Sequence, residues 1–197
     1  DNSLRENFIF FSPFAIQFKN RSYVFLTFVN TIENLKYNFD ILRNGKFITP
    51  GRYNYTFTRI GHFTPPNKKL SYVAFVEYGQ FYHGSRIKPV LRLNYRLIPT
   101  AVISASYEFN KIDLPEIGNT TLHLLRLTTE FYVNNRLNWT TYFQYNTQAD
   151  NININSRLQW EFQPLSYIYL VYTNNYDVEF LSKNWGLSLK VVKRFDF

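Results

Sequence analysis

The sequence predicts an all-β protein built as an antiparallel up-and-down sheet, and three observations support this prediction. First, apolar and polar residues alternate through most of the 197 residues. A period of two is typical of strands with one apolar and one polar face. Second, the chain contains 20 Phe and 16 Tyr, and strands favour aromatic residues. Third, no segment sustains a helical period over three turns.

The clearest alternation lies at the C-terminal end of the chain, in residues 151–197. From Ile152 onward, apolar side chains alternate with Asn, Gln, Arg and Glu. The last segment places Trp185, Leu187, Leu189, Val191, Phe195 and Phe197 on one face, which Lys193 interrupts. A terminal strand ending in an aromatic residue is typical of outer-membrane barrels, whose insertion machinery reads that strand. We therefore interpret Leu189, Val191, Phe195 and Phe197 as an insertion signal.

The same alternation extends back to the start of the chain. In one good example, Leu91, Leu93 and Leu97 oppose Arg92 and Arg96. Many segments have about 10–13 residues, which is long for a globular strand but suits a strand tilted across a membrane. The eleven predicted strands are 8–18, 22–30, 51–63, 70–81, 89–98, 100–109, 120–133, 136–146, 152–163, 166–173 and 185–197.

The predicted connections alternate in length. Short turns are predicted at Asn20, Pro65–Lys69, Pro99, Asn134-Asn135 and Pro164-Leu165, and longer connections at 31–50, 82–88, 110–119, 147–151 and 174–184. Membrane barrels have short periplasmic turns and longer external loops. The sequence therefore predicts an antiparallel up-and-down transmembrane β-barrel whose C-terminus is periplasmic.

Eleven strands is an odd number, whereas bacterial single-chain barrels have an even number and no open edge in lipid. The chain also contains no Met and begins Asp-Asn-Ser. We therefore predict one domain over residues 1–197 that is the C-terminal portion of a larger barrel, with its N-terminal part missing. Alternatively, another strand is hidden in 31–50, where Phe39, Ile41, Phe47 and Ile48 lie.

Composition excludes several kinds of chemistry. The chain has no Cys, which excludes disulfides, thiol catalysis and cysteine metal sites. The net charge is +8, but Lys and Arg are spread over all segments and do not form the dense patch that nucleic acid requires. His62, His83 and His123 lack catalytic or ligand spacing. No catalytic residue, metal, cofactor or nucleic-acid partner is predicted.

Charged residues of both signs share the polar faces of the predicted strands. One interpretation is a structural ladder in which opposite charges pair across neighbouring strands. The other is an anion-favouring constriction or a surface on which a plug docks. The predicted lumen-facing ladder consists of Arg92, Arg96, Glu108, Arg126, Glu130, Arg157, Glu161, Lys190 and Arg194.

The predicted external loops contain the aromatic residues Phe81, Tyr82, Tyr176 and Phe180. They are interpreted either as an interfacial girdle or as an exposed platform that stacks on sugar rings. Arg86 and Lys88 are basic residues of the same predicted rim, where they could meet lipopolysaccharide phosphates.

Several short motifs together resemble a known family. In chain order they are G-Q-F-Y-H-G-S-R (Gly79–Arg86), N-K-I-D-L-P (Asn110–Pro115), T-T-L-H-L-L-R-L (Thr120–Leu127), F-Q-Y-N-T (Phe143–Thr147), R-L-Q-W-E-F-Q-P (Arg157–Pro164) and L-V-Y-T-N-N-Y-D (Leu170–Asp177). The set resembles the C-terminal outer-membrane barrel of the domain of unknown function 5916 family of Bacteroidota. The resemblance implies a preceding domain like carbohydrate-binding family 9, but no activity. The chain departs from the family at Leu165, where a Gly is usual.

The leading function hypothesis is a non-enzymatic protein of the Gram-negative outer membrane. It would act as a conduit, an anchor or a subunit of an envelope assembly, with a link to carbohydrate binding or uptake. The expected partners are outer-membrane lipid and lipopolysaccharide, the barrel assembly machinery, other outer-membrane proteins and glycans. One alternative is an outer-membrane hydrolase with its active site in loops or in the missing N-terminal part. Another is a soluble β-sandwich binding module.

Overall fold

The computed structural model describes residues 6–195, and within them the chain forms eleven strands in one sheet. Each strand is hydrogen-bonded to the next in chain order, from β1 to β11. The strands are β1 Glu6–Gln17, β2 Tyr23–Leu35, β3 Gly51–Phe63, β4 Leu70–Phe81, β5 Gly84–Leu97, β6 Ala101–Leu114, β7 Gly118–Asn134, β8 Leu137–Asn146, β9 Asn151–Gln163, β10 Ser166–Tyr176 and β11 Ser182–Val192. The predicted all-β, antiparallel, up-and-down architecture is confirmed. The described residues contain no helix long and apolar enough to cross a membrane.

The predicted alternation of short and long connections is wrong at two of the five longer connections, 82–88 and 110–119. Residues 84–88, predicted to be a loop, belong to β5, and Tyr82 and His83 alone join β4 to β5. Tyr82 makes this tight turn possible by adopting a left-handed backbone conformation, with φ of 50°. Residues 110–114 likewise extend β6, because Ile112 and Leu114 are buried on one face and hold the strand in place.

Residues 36–50 form an extended connection between β2 and β3, and they contain no additional strand among the described elements. β2 continues to Leu35, so part of the predicted loop is strand. Beyond it, Phe39 and Ile48 exchange two backbone hydrogen bonds of 3.0 and 2.9 Å, which form an isolated bridge. The hidden-strand alternative is therefore wrong for this segment.

The chain divides into two compact units. The first comprises the residues up to Pro65, Tyr72–Leu91 and Glu108–Leu122, and the second comprises Pro66–Ser71, Arg92–Tyr107 and the residues from His123 onward. The buried apolar core belongs to the first unit, where residues of β2, β3, β4 and β6 pack with side chains of the β2–β3 connection. The second unit contains the regular hairpins β7–β11, whose registers define its two faces.

Candidate functional site

In the second unit, strands β7–β11 carry an apolar face that is exposed. Directly opposed residues share a face of an antiparallel sheet, and here Phe131 faces Trp139, Trp139 faces Leu158, Leu158 faces Leu170 and Leu170 faces Leu189. Exposure of this face ranges from 36% at Leu127 to 70% at Trp185. We call the following residues the apolar face: Leu125, Leu127, Phe131, Trp139, Leu158, Trp160, Leu170, Tyr172, Trp185, Leu187, Leu189 and Val191. Such a large contiguous exposed apolar surface is typical of a protein or membrane contact.

The opposite side of the same strands, the polar face, is held together by amide and hydroxyl side chains. Asn153 Nδ2 donates to Asn175 Oδ1 at 2.7 Å, and Asn155 Nδ2 donates to Thr173 Oγ1 at 2.6 Å. Asn175 in turn donates to Asn184 Oδ1 at 2.7 Å. These bonds run from β9 through β10 to β11, so each polar side chain satisfies its neighbour across the sheet.

The structure places the strand residues of the predicted charge ladder in the second unit on the side that the alternation predicts. In β7–β11 the register puts them on the polar face. On β5, Arg92 and Arg96 flank Asn94, which accepts a hydrogen bond from Ser104 of β6 at 3.2 Å. The bases of this unit's ladder strands are Arg92, Arg96, Arg126, Arg157 and Lys190, and the acids are Glu130 and Glu161. Five bases therefore stand against two acids.

Both ladder acids of the second unit form hydrogen bonds with uncharged groups. Glu130 accepts a hydrogen bond from the Tyr132 hydroxyl at 2.5 Å, and Glu161 accepts from the Leu165 amide at 3.0 Å. Arg126 Nε donates to Gln144 Oε1 at 3.4 Å. In the first unit the ladder acid Glu108 on β6 pairs across strands with Lys88 on β5 at 3.2 Å. The structural interpretation of the ladder therefore has an observed cross-strand pair, at Glu108.

The first unit contains an ion-pair cluster that sequence analysis missed. Glu77 of β4 is buried, with 5% exposure. Its Oε1 accepts from Arg59 Nη2 at 2.5 Å and from Arg59 Nε at 2.9 Å, and its Oε2 accepts from Arg86 Nη2 at 3.0 Å. A carboxylate can be buried only where such charge-assisted bonds satisfy it. The sequence contained one signal for this cluster, because Glu77 lies within an apolar run, between Val76 and Tyr78.

Aromatic rings complete the environment of the two arginines. The Arg86 guanidinium lies 4.5 Å from the Phe81 ring centroid and 5.6 Å from that of Phe57. The Arg59 guanidinium lies 5.3 Å from the Phe75 centroid. Cations over aromatic faces are attracted by the ring quadrupole. The cluster is therefore a compact, charge-dense layer between aromatic side chains.

Next to this cluster the β2–β3 connection folds onto the sheet. Ile41 and Ile48 of the connection are buried, and Ile48 is only 2% exposed. They join an apolar core that we call the plug core: Val29, Ile41, Ile48, Tyr53, Tyr55, Phe57, Phe81, Ile112 and Leu114. On this part of the sheet the aromatic residues are buried, while Asn30, Asn54 and Thr56 bond to one another on the opposite face. In this part of the sheet the buried face is therefore apolar and the opposite face is polar.

The tip of the β2–β3 connection is anchored to the turn between β6 and β7. Asn44 Nδ2 donates to the carbonyl of Ile117 at 3.1 Å. A Cβ on Gly118, whose φ is +128°, would come to 3.7 Å from Leu42 Cδ1. Asp40 accepts hydrogen bonds from the amides of Asn44 and Gly45, which keeps the tip compact. The segment thus reaches from β2 to the end of β6 in a fixed conformation.

Two of the four predicted loop aromatics are not external. Phe81 is buried in the plug core, and Tyr82 donates a 3.0 Å hydrogen bond to Glu33, which also accepts from Tyr55 at 3.2 Å. Burial, followed by the nearby Glu33 charge, raises the pKa of the Tyr82 hydroxyl above its ordinary value. The girdle and platform interpretations are therefore wrong for Phe81 and Tyr82, because their turn folds inward.

The other two loop aromatics differ from each other. Tyr176 ends β10 and accepts a 2.8 Å hydrogen bond from Asn174, whereas Phe180 is exposed in the β10–β11 connection. The rim lysine and arginine are also engaged, because Arg86 binds Glu77 and Lys88 binds Glu108 at 3.2 Å. Their predicted role at lipopolysaccharide phosphates is therefore not supported.

The histidines and the C-terminal signal occupy ordinary strand or turn positions. His123 Nδ1 lies 2.8 Å from the Tyr107 hydroxyl, and the His83 ring packs on Tyr53. Leu189 and Val191 lie on the apolar face as predicted, and Phe195 follows β11. The Arg194 amide donates to Ser166 Oγ at 3.1 Å, and Phe197 lies outside the described residues. No group of three or more metal-ligating side chains occurs in residues 6–195.

No protein-family profile and no curated protein sequence matches this chain. Among solved structures it is similar to the NanC porin in a rhombohedral crystal form, at 12% identity over 94% of this chain and 98% of that chain. The TM-score of 0.37 is low, so the fold assignment depends on the sheet itself. The resemblance to the domain of unknown function 5916 family stays a prediction.

Proposed function

We propose that this chain forms the wall of a transmembrane β-barrel in the outer membrane of a Gram-negative bacterium, where it lines an anion-favouring conduit. The observation that carries the proposal is the exposed apolar face of β7–β11 opposite a hydrogen-bonded polar face. A soluble sheet buries its apolar side, whereas a membrane barrel turns that side to lipid and its polar side to the interior.

Strand length supports the membrane location. A tilted transmembrane strand needs about 9–11 residues, and the shortest strand of the described part, β8, has 10 residues. β7 has 17 residues and would extend well beyond the hydrocarbon layer.

Closure of the barrel requires more than these strands. β1 and β11 stand at the two ends of the strand order. Because successive strands are antiparallel, β1 and β11 run in the same direction, so antiparallel closure needs an odd number of further strands. Lipid does not tolerate open sheet edges. We propose that such strands complete the barrel, in agreement with the predicted larger barrel.

The charge of the polar face supports the preference for anions. The ladder strands carry the bases Arg92, Arg96, Arg126, Arg157 and Lys190 and the acids Glu108, Glu130 and Glu161, so the bases exceed the acids by five to three. Rings of basic side chains favour anions in pores, where the low dielectric of the wall focuses their field. The proposal assigns no catalytic residue. The outer-membrane hydrolase is favoured by no contact among the described residues.

The test is ion selectivity of the purified protein in planar lipid bilayers. We expect discrete conductance steps and a reversal potential that shows chloride to be more permeant than potassium. The double variant R126Q/R157Q should move the permeability ratio toward one, because it removes two interior charges. The matched control R136Q removes a charge from the β7–β8 turn and should leave the ratio unchanged. A protein that never opens, or one that prefers cations, would favour the anchor hypothesis.

We also propose that the β2–β3 connection narrows this conduit. Replacing Ile48 by Asp puts a charge into the plug core, where burial of an unpaired carboxylate is strongly unfavourable. The connection should leave the sheet, and single-channel conductance should rise severalfold. Y37D is the control, because Tyr37 lies in the same connection and is 80% exposed. Equal conductance of I48D and the unmodified protein would contradict a narrowing role.

The remaining partner predictions rest on the proposed location. The barrel assembly machinery would read the C-terminal signal, and lipid would cover the apolar face. Contacts with glycans or other outer-membrane proteins stay predictions. For glycans, two of the four aromatic residues of the predicted platform, Phe81 and Tyr82, are not external.

A further inference from the structure

A cleft of about 700 Å³ opens in the second unit between the β3–β4 connection and the β5–β6 connection. Its polar side includes Lys68, Lys69 and Arg96, and its apolar side includes Leu97, Ile98 and Phe131. The backbone amide of Arg96 donates to the carbonyl of Lys69 at 2.8 Å. This bond holds the two connections together and fixes the spacing of the cations.

The positive charge of the cleft is not neutralised by the protein. None of Lys68, Lys69 and Arg96 forms an ion pair with a carboxylate in the described part of the chain. No Asp or Glu lines the cleft. Lys69 Nζ instead lies 5.6 Å from the centroid of the Tyr95 ring, so an aromatic face holds the ammonium without cancelling its charge. The two adjacent lysines, with no carboxylate beside them, favour an anionic ligand.

The apolar side of the cleft is continuous with the apolar face. Phe131 belongs to that face, and Leu97 lies on the same side of β5 as Tyr95, on which Lys69 packs. Ile98, just beyond the end of β5, is 75% exposed and extends this apolar surface. The cleft therefore presents cations at a strand end and apolar side chains along the adjoining sheet surface. A ligand that fits has an anionic head and a hydrocarbon chain.

We infer that this cleft binds an anionic glycerophospholipid, with the phosphate on Lys68 and Lys69 and an acyl chain along Leu97, Ile98 and Phe131. The inference rests on the proposed membrane location. Among the described strands the longest connection, residues 36–50, joins β2 to β3 and so lies at the opposite strand ends from the β3–β4 and β5–β6 connections. Membrane barrels carry their longer loops outside. The cleft is therefore at the periplasmic end, where the anionic lipid is a glycerophospholipid and not lipopolysaccharide.

The test is native mass spectrometry of the full chain in detergent micelles, with phosphatidylglycerol or phosphatidylcholine added at equal concentration. The unmodified protein should retain phosphatidylglycerol preferentially. A basic residue near an anionic lipid surface contributes about 1 kcal/mol, roughly a fivefold effect on affinity. The double variant K68Q/K69Q should therefore weaken phosphatidylglycerol retention by about 30-fold. The matched control K19Q/K46Q removes the same charge from two other connections and should retain the lipid.

Three results would overturn the inference. They are equal retention of the two lipids, equal losses in the two double variants, and displacement of phosphatidylglycerol by an equal concentration of glycerol 3-phosphate, which would indicate a free-anion site. The bilayer recording separates this inference from the proposed function. A protein that conducts but does not prefer phosphatidylglycerol lacks the lipid site only, whereas a protein that neither inserts nor conducts contradicts the membrane proposal itself.

Discussion

Replacing Glu77 by Gln is expected to destabilise the chain by about 3 kcal/mol, a value at the lower end of the range for breaking a buried ion pair. The side chain of Glu77 is 7% exposed, and it satisfies two arginines whose side chains are 31% and 19% exposed. Glutamine has nearly the same shape, so the loss comes from leaving two partly buried guanidinium groups without a counter-charge. Arg59 retains some solvation by water, so we expect a free-energy loss at the lower end of that range.

The measurement is urea unfolding in detergent micelles, followed by tryptophan fluorescence. E108Q is the matched control, because Glu108 pairs with Lys88 at 3.2 Å and its side chain is more exposed, at 15%. It should cost about 1 kcal/mol. Equal shifts of the unfolding midpoint in E77Q and E108Q would mean that the Arg59–Glu77–Arg86 cluster stabilises the chain no more than the single Lys88–Glu108 pair does.

Alternation predicted the faces of β7–β11 correctly. In β9, Leu158 and Trp160 lie on the apolar face, while Arg157 and Gln159 lie on the polar face, as the period of two requires. This success has a simple cause, because a strand with one apolar and one polar side can place them in only one way once its neighbours are paired. The same alternation predicted where strands occur, but it did not predict the residues at which they begin and end.

The turn between β4 and β5 shows why strand ends were harder to predict. Tyr82 adopts a left-handed conformation with φ of 50°, although tyrosine gives no sequence signal for it. Leu165 does the same in the β9–β10 turn, with φ of 59°. Leucine likewise gives no sequence signal for a left-handed conformation.

The plug core shows a different limit. Tyr53, Tyr55 and Phe57 alternate cleanly with Arg52, Asn54 and Thr56, so their shared face could be predicted. Which face is buried depends on Ile41 and Ile48, and these belong to a connection whose path is fixed by tertiary contacts, including Asn44 with Ile117. A period of two in the sequence contains no information about such tertiary contacts. The Glu77 cluster was missed for the same reason, because its three residues lie on three different strands.

Replacing Leu158 by Arg distinguishes a membrane-facing apolar surface from a water-facing one. Leu158 is 40% exposed and lies opposite Trp139 and Leu170 on the apolar face. Arginine on the lipid side of a membrane barrel costs about 2–4 kcal/mol at the bilayer midplane. We therefore expect L158R to lower the free energy of unfolding in lipid vesicles by about that amount. In a soluble β-sandwich, the same exposed position would tolerate arginine within about 0.5 kcal/mol.

The adjacent residue provides the control. Gln159 points to the polar face, opposite Asn138 and Tyr169, with Arg157 and Glu161 on either side along β9. Q159R adds the same side chain one position further along the strand, so strand propensity and total charge change almost equally. A large cost for L158R with a small one for Q159R assigns the apolar face to lipid. Equal small costs would mean that water covers both faces, and the conduit would then have no membrane to cross.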